Sequence, residues 1–449
     1  MAQKRQEIGK TISVDTLRPT AQAGLAAQVS VRGEDRVKIA EEVAKVLKSE
    51  GVEYTFFLTG GGTATMMVAI EQAGIKAVHC RNEMSAGFAM DAWGRITTRP
   101  GFALPGAGTG LTNFMTGLCQ AYSAPSPGVA IIAESGPFDD DKYGGQGIAR
   151  SENQAVGLCK WARKAHPNTF LWQLKRAFRS AVTPPIGPVV VAYGNSEFTT
   201  GLTVPRRLAY QALDPDGWKP RNFHNLVPQP EIEAAVKWLL DAQKPVIVAG
   251  HGAHQDQCQE ELRELAHLLG IPAAGRRIAR GMISEEDPLC YGRRARGVLY
   301  AQADRCLVLG LRIGSLENFG NAPFFPHTIR YAQIHNSPDY TELNLPTDIE
   351  IIGNIKDILN QMIQTVKDMG IKKPVDKWAK WRQLVVDTDQ SFAKRTLART
   401  DKQVNEIPLN PDLAGRLVAE QLADMYKNNY IFINDSHTGG AYFSNWNVA

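Results

Sequence analysis

The sequence predicts an α/β protein with two doubly wound parallel-sheet domains and the start of a third. Short apolar runs such as "YTFFL", "GVAIIAES", "GPVVVAY", "PVIVAG" and "DRCLVLG" alternate too little to leave one face in water. Helical patterns separate these runs, as in covered parallel sheets. The length of 449 residues calls for about two or three domains.

Residues 1–34 read as a polar tail without the apolar stretch of a secretory signal. From residue 35 a first α/β domain runs to residue 200. "EDRVKIAEEVAKVLKSEG" sets Val37, Ala40, Val43 and Leu47 on one helical face and ends at Gly51. Strand "YTFFL", helix "TATMMVAIEQAG" and strand "IKAVHC" follow, then a helix over Glu83–Arg95, strand "GFALPG", helix "LTNFMTGLCQAY" and strands "GVAIIAES" and "GPVVVAY". Residues 201–228 read as a linker.

A central α/β domain spans 229–370, with helices "EIEAAVKWLLDAQ", "QCQEELRELAHLLG" and "NIKDILNQMIQTVKDMG" among strands "PVIVAG", "IPAAG", "DRCLVLG" and "IRYAQIH". Residues 371–408 read as a second polar linker. Residues 409–449, with helix "PDLAGRLVAEQLADMYKNN" and strand "YIFINDS", read as the incomplete start of a third domain.

Composition excludes several classes. A net charge of +4 is slight for this length and makes no electrostatic case for nucleic acid. No apolar run reaches the roughly 18 residues of a membrane span. The six cysteines are scattered without a CxxC pair, which favours reduced thiols, a cytoplasmic address and no structural zinc. The Asp139–Asp141 run has the wrong spacing for a calcium loop.

Glycine turns mark the candidate site. "TGGG" (Thr59–Gly62) and "PGAGTG" (Pro105–Gly110) each follow a strand and open a helix. In a parallel sheet they lie at the carboxyl edge, where open α/β folds bind ligands, though any tight βα turn uses glycine. Glu83 sits at the same edge, where strand meets helix. It reads either as a helix N-terminal charge or as a carboxyl among the small residues Ala86, Gly87 and Ala89, where exclusion of water readies it for proton transfer. The residues alone leave both readings open. "VIVAGHGAH" approaches a dinucleotide fingerprint but lacks its third glycine.

From "GVEYTFFLTGGG" through "CRNEMSAGFAMDAWGR" to "PGAGTGLTN", the chain resembles the pyrimidine-binding domain of thiamine-diphosphate enzymes of the acetolactate synthase type. "KPVIVAGHGAHQDQCQEELRELAHLLGIPAA" and "IEIIGNIKDIL" resemble their central domain, so the resemblance covers about residues 35–370. It implies that Glu83 is the carboxylate that hydrogen-bonds the cofactor's aminopyrimidine, with Gly60, Gly61, Gly106, Gly108 and Asn113 lining the cofactor space. It also implies a substrate-facing role for Thr59, Asn82 and Glu152. Thr59 replaces the family's proline and Asn82 its histidine. Of its F-Q-E segment only Glu152 remains, after Arg150 and Ser151, so pyruvate condensation itself is not the expected reaction.

Two arginine clusters stand in the central domain, one with Arg276, Arg277 and Arg280, the other with Arg293, Arg294 and Arg296. Related enzymes bind the ADP part of FAD or coenzyme A with this domain, and arginine forks suit phosphates. A solvated surface or subunit contact is the plainer reading.

In the family a third domain holds the diphosphate and Mg²⁺ through G-D-G and a later Asn; no G-D-G occurs in this chain. The resemblance therefore implies a thiamine-diphosphate-dependent lyase or transferase acting on a 2-oxo acid or related carbonyl. A second subunit would supply diphosphate and Mg²⁺ binding, with no metal ligand on this chain, in a hetero-oligomer with a dimeric core. A truncated product is the first alternative. A non-catalytic paralogue that binds a partner or nucleotide is the second.

Overall fold

The computed structural model describes residues 35–61, 63–136, 142, 150–194, 201–212, 223–291, 302–427, 429–431 and 433. Gly62, Asp139–Asp141, Arg293, Arg294, Arg296 and the N-terminal 34 residues lie outside these. The chain forms two compact units, Met1–Arg221 and Asn222–Ala449.

The first unit runs β1 (Arg36–Lys38), α1 (Ile39–Ser49), β2 (Tyr54–Phe57), α2 (Ala64–Gln72), β3 (Lys76–His79), α3 (Glu83–Thr97), β4 (Gly101–Leu104), α4 (Thr109–Ser123) and β5 (Gly128–Glu134). It continues with α5 (Ser151–Ala155), β6 (Ala162–Lys164), α6 (Pro167–Val182), β7 (Pro188–Gly194), β8 (Thr203–Pro205) and α7 (Arg206–Ala212). Six strands form one parallel sheet in the order β3-β2-β4-β5-β7-β6. The two-residue period of a strand divides β5 between two cores. Val129, Ile131 and Ala133 join α1, α2 and α6 on one face, while Ala130 and Ile132 join α3, α4 and α5 on the other. Every strand therefore delivers its carboxyl end, and the start of the next helix, to one edge.

Two expectations need correction. Part of the expected linker 201–228 belongs to the first unit, where β8 pairs antiparallel with β1 and Ala209 and Ala212 of α7 enter the core. The proline- and arginine-rich composition hides those few apolar anchors.

The second unit holds α8 (Gln229–Leu240), β9 (Pro245–Ala249), α9 (His251–Gln255), α10 (Gln259–Leu269), β10 (Ala273–Gly275), β11 (Arg305–Leu309), β12 (Arg330–His335), β13 (Ile349–Ile352) and α11 (Ile355–Asp368). Its parallel sheet has the order β10-β9-β11-β12-β13. α8, α10 and α11 pack one face against Ile247 and Leu307. Val246, Val248, Cys306 and Val308 face the opposite core.

The second expected linker, 371–408, is mostly the helix α12 (Ala379–Lys402). Trp378 and Trp381 are buried, and their indole Nε1 groups donate to the carbonyls of Ala242 and Pro245, each at 2.9 Å. One anchored edge on an otherwise polar helix reads as linker because so few positions are apolar. The strand expected over "YIFINDS" lies mostly outside the described residues. The helix α13 (Pro411–Tyr426) forms, capped by Asn410, whose side chain accepts from the Asp412 N–H. The described residues Tyr430, Ile431 and Ile433 carry no strand, and both isoleucines are exposed.

Polar groups are also buried in the second unit. Asp256 accepts from the Ile355 N–H at 2.7 Å and from Asn336 Nδ2 at 3.1 Å, which joins the end of β12 to the start of α11. Burial pushes its carboxyl up to about 6. His335 Nδ1 accepts from the Ser337 N–H at 3.0 Å, so the neutral ring carries its proton on Nε2. Burial pushes this imidazole down to about 3.

Two predictions follow from these contacts. Trp378→Ala should cost about 3–5 kcal/mol in urea unfolding of the chain; a segment that merely linked domains would show no loss. The second concerns acid. Below about pH 6.5 the unfolded chain protonates residue 335. The fold keeps His335 neutral down to about pH 3, so stability falls as pH falls between these values. Asp256 acts oppositely, because its folded carboxyl takes a proton at about 6 and the unfolded one near about 3.9. Between about pH 6 and 4, His335→Gln should flatten the acid loss of stability and Asp256→Asn should steepen it. Equal slopes in the two variants would contradict this assignment.

Candidate active site

The site is built at the carboxyl edge of the first unit's sheet. After β3 the backbone stays extended at Asn82, whose side chain accepts from the Met84 N–H at 2.8 Å and caps α3. Glu83 is the first residue of that helix, where the helix dipole favours a carboxylate. It is only 7% exposed. Its Oε2 accepts from Asn113 Nδ2, on α4, at 3.1 Å.

The other oxygen faces backbone. A Cβ added to Gly110 would lie 3.1 Å from Glu83 Oε1, and one on Gly106 would lie 3.6 Å away. Gly108 opens α4 with φ 55°, in the left-handed region that glycine adopts without strain. No hydrogen bond reaches Oε1 among the described residues.

The structure thus brings Glu83, Gly106 and Asn113 together, with Gly108 in the same turn, and adds Gly110. At Gly60 and Gly61 an added Cβ would meet nothing within 4 Å, and Thr59 is exposed. Their turn is held by Thr63, whose hydroxyl donates to the Gly60 carbonyl at 3.0 Å and accepts from its N–H at 3.2 Å. Among the described residues no hydrogen bond joins these three to Glu83; they share its sheet edge. Asn82, expected to face substrate, spends its side chain on capping the helix.

Glu152 stands apart, at the start of α5 beside Glu134. Glu134 ends β5, is 2% exposed, accepts from the Ser151 N–H at 3.2 Å and from its hydroxyl, and pairs with Lys164. Burial, with the charge of Glu134 beside it, raises the pKa of the Glu152 carboxyl. Glu134 and Lys164 were not singled out from the sequence. An acid closing the otherwise apolar run "GVAIIAE" is the signal that marks them.

In the second unit the arginines are engaged. Arg276 and Arg277 both reach Glu317, which is fully buried, at 3.1 and 3.4 Å. Arg276 also lies over the Phe324 ring, and Arg280 pairs with Glu285. Two guanidinium groups on one carboxylate leave a net positive charge there. The fingerprint-like glycines serve contact between turns. The Gly252 N–H donates to the Gly310 carbonyl at 2.8 Å, and a Cβ on Gly250 would meet Leu311 Cα at 2.4 Å. Nearby, Nε2 of His251 and of His335 is buried without a hydrogen-bond partner among the described residues. Among the described residues no three His, Cys, Asp or Glu side chains are placed to hold a metal ion, and no helix is long and apolar enough to cross a membrane.

Residues 37–154 match the model of the thiamine pyrophosphate enzyme N-terminal TPP binding domain, and residues 232–362 that of the thiamine pyrophosphate enzyme central domain. The chain is 29% identical to the acetolactate synthase large subunit of Haemophilus influenzae over 77% of this chain and 61% of that protein. It is 24% identical to 2-hydroxyacyl-CoA lyase 1 of Mus musculus over 85% and 64%. It is 26% identical to oxalyl-CoA decarboxylase of Escherichia coli over 82% and 64%. The chain therefore spans about three fifths of the length of these relatives. With both units matched in order by that family's domains, the chain belongs to the thiamine pyrophosphate enzymes.

Proposed function

We propose that the chain is a subunit of an enzyme that forms or cleaves a carbon–carbon bond in a 2-oxo acid or related carbonyl compound. We further propose that a second polypeptide holds the diphosphate and Mg²⁺. The observation that carries the reading is the pairing of Glu83 with Asn113 against bare glycine backbone.

The residues fit the aminopyrimidine end of the cofactor. A buried carboxylate with one oxygen fixed and the other facing Gly106 and Gly110 accepts a hydrogen bond from a flat ring that no side chain obstructs. When bound, thiamine diphosphate supplies the nucleophile that makes or breaks the bond. Glu83 holds the proton at the pyrimidine nitrogen, Asn113 orients the carboxylate, and Asn82 secures the first turn of the helix that carries it. The glycines at 106, 108 and 110 leave room for the ring's approach.

A partner fits the surface as well. Beside Glu83, α3 exposes Met84 and Phe88; on the second unit, α13 exposes Leu417, Val418, Met425 and Tyr426. Apolar residues grouped on helix faces are suited to burial against another chain.

In the reconstituted complex, Glu83→Gln should slow deuterium exchange at the cofactor's C2 by about a hundredfold or more. Unchanged exchange would return Glu83 to a helix-end charge. Calorimetry should show that the chain binds thiamine diphosphate with Mg²⁺ tightly only once the partner is present. Tight binding by the chain alone would remove the need for a second subunit.

A further inference from the structure

Glu83 and Asn113 lie on different helices, and their meeting depends on how closely those helices approach. One turn further along each, the two backbones touch. A Cβ on Gly87 would stand 2.9 Å from Gly117 Cα, and one on Gly117 would stand 2.6 Å from Gly87 Cα and 2.8 Å from the Phe88 nitrogen. Real Cβ atoms do not approach backbone so closely, so any side chain at either position forces α3 and α4 apart. Glu83 precedes Gly87 by four residues, and Asn113 precedes Gly117 by four. On a helix this is one turn along the same face, and side chains lean toward the N-terminus. The hydrogen-bonded pair thus sits directly above the glycine contact.

An asparagine side chain is short. At 3.1 Å its amide reaches Glu83 Oε2 with little to spare, and a widening of even half an ångström takes the pair beyond hydrogen-bonding distance. Losing that donor frees the carboxylate to rotate, and Oε1 no longer faces Gly106 and Gly110.

We propose that Gly87 and Gly117 are positioning residues for the candidate active site. Their backbone contact sets the helix separation at which Asn113 locks Glu83 Oε2 and leaves Oε1 as the acceptor for a ligand N–H. The inference rests on the functional reading above only for the identity of that ligand; the positioning itself is a property of this chain.

The test uses the full chain labelled with ¹⁵N-asparagine and follows the Asn113 side-chain amide. Glu83→Ala gives the resonance position of the amide with no acceptor opposite it. Gly117→Ala and the milder Gly87→Ala are expected to move the amide in the same way, because each opens the gap. Leu118→Ala, a fully buried packing change on the same helix, is expected to lower the melting temperature and leave the amide in place. As a second readout, 4-amino-2-methylpyrimidine should bind about tenfold more weakly to Asn113→Ala and to each glycine variant than to the unaltered chain. Should the glycine variants lose thermal stability while the Asn113 amide stays put, the contact is packing alone and the proposal fails. If the amide moves as expected but the unaltered chain does not bind the pyrimidine, the positioning stands and the cofactor reading fails.

Discussion

The backbone contact between α3 and α4 at Gly87 and Gly117 is the constraint on which the first unit's chemistry depends. Glycine inside a helix costs about 0.5–1 kcal/mol relative to alanine, so two of them at one crossing are a local loss that only close approach offsets. The approach is possible because β3 and β4 are parallel strands of one sheet and send their helices back over the same face. Both helices therefore start at the same edge. A carboxylate at the first position of one then meets an amide in the second turn of the other.

Burial gives this arrangement its chemical consequence. Glu83 is held by one amide at the start of its own helix, with glycine backbone on its remaining side. Glu134 on the same edge shows the opposite solution. Its carboxylate is satisfied by the Ser151 N–H and hydroxyl and by Lys164, and serves as an anchor for α5 and β6. The second unit treats Glu317 likewise, beneath Arg276 and Arg277. Among these three buried acids only Glu83 keeps an oxygen turned toward open glycine backbone.

Much of this was legible in the chain. Strand β5 and its neighbours declare a buried parallel sheet through unbroken apolar runs, and an acid between such a strand and small residues stands out. The glycine turns at 60–61 and 106–110 were visible for the same reason. What stayed hidden depends on partners distant in sequence. The capping role of Asn82 and the Asn113 hydrogen bond exist only once helices are packed. The arginines at 276 and 277 read as a solvated surface or subunit contact, or else as phosphate ligands, because Glu317, some forty residues away, is not seen as their counter-ion. Two tryptophans before and within α12 were read as linker, since a single anchored edge leaves no helical period to detect.

The central claim is that Glu83 meets the cofactor's pyrimidine through the oxygen that Asn113 leaves open. A structure of the chain with thiamine diphosphate, Mg²⁺ and whichever polypeptide holds the diphosphate measures this directly. The account predicts Glu83 Oε1 at hydrogen-bonding distance, about 2.7–3.0 Å, from the aminopyrimidine N1′, with Asn113 still on Oε2. A pyrimidine ring bound away from Glu83, or one contacted by Oε2 with Asn113 displaced, would contradict it.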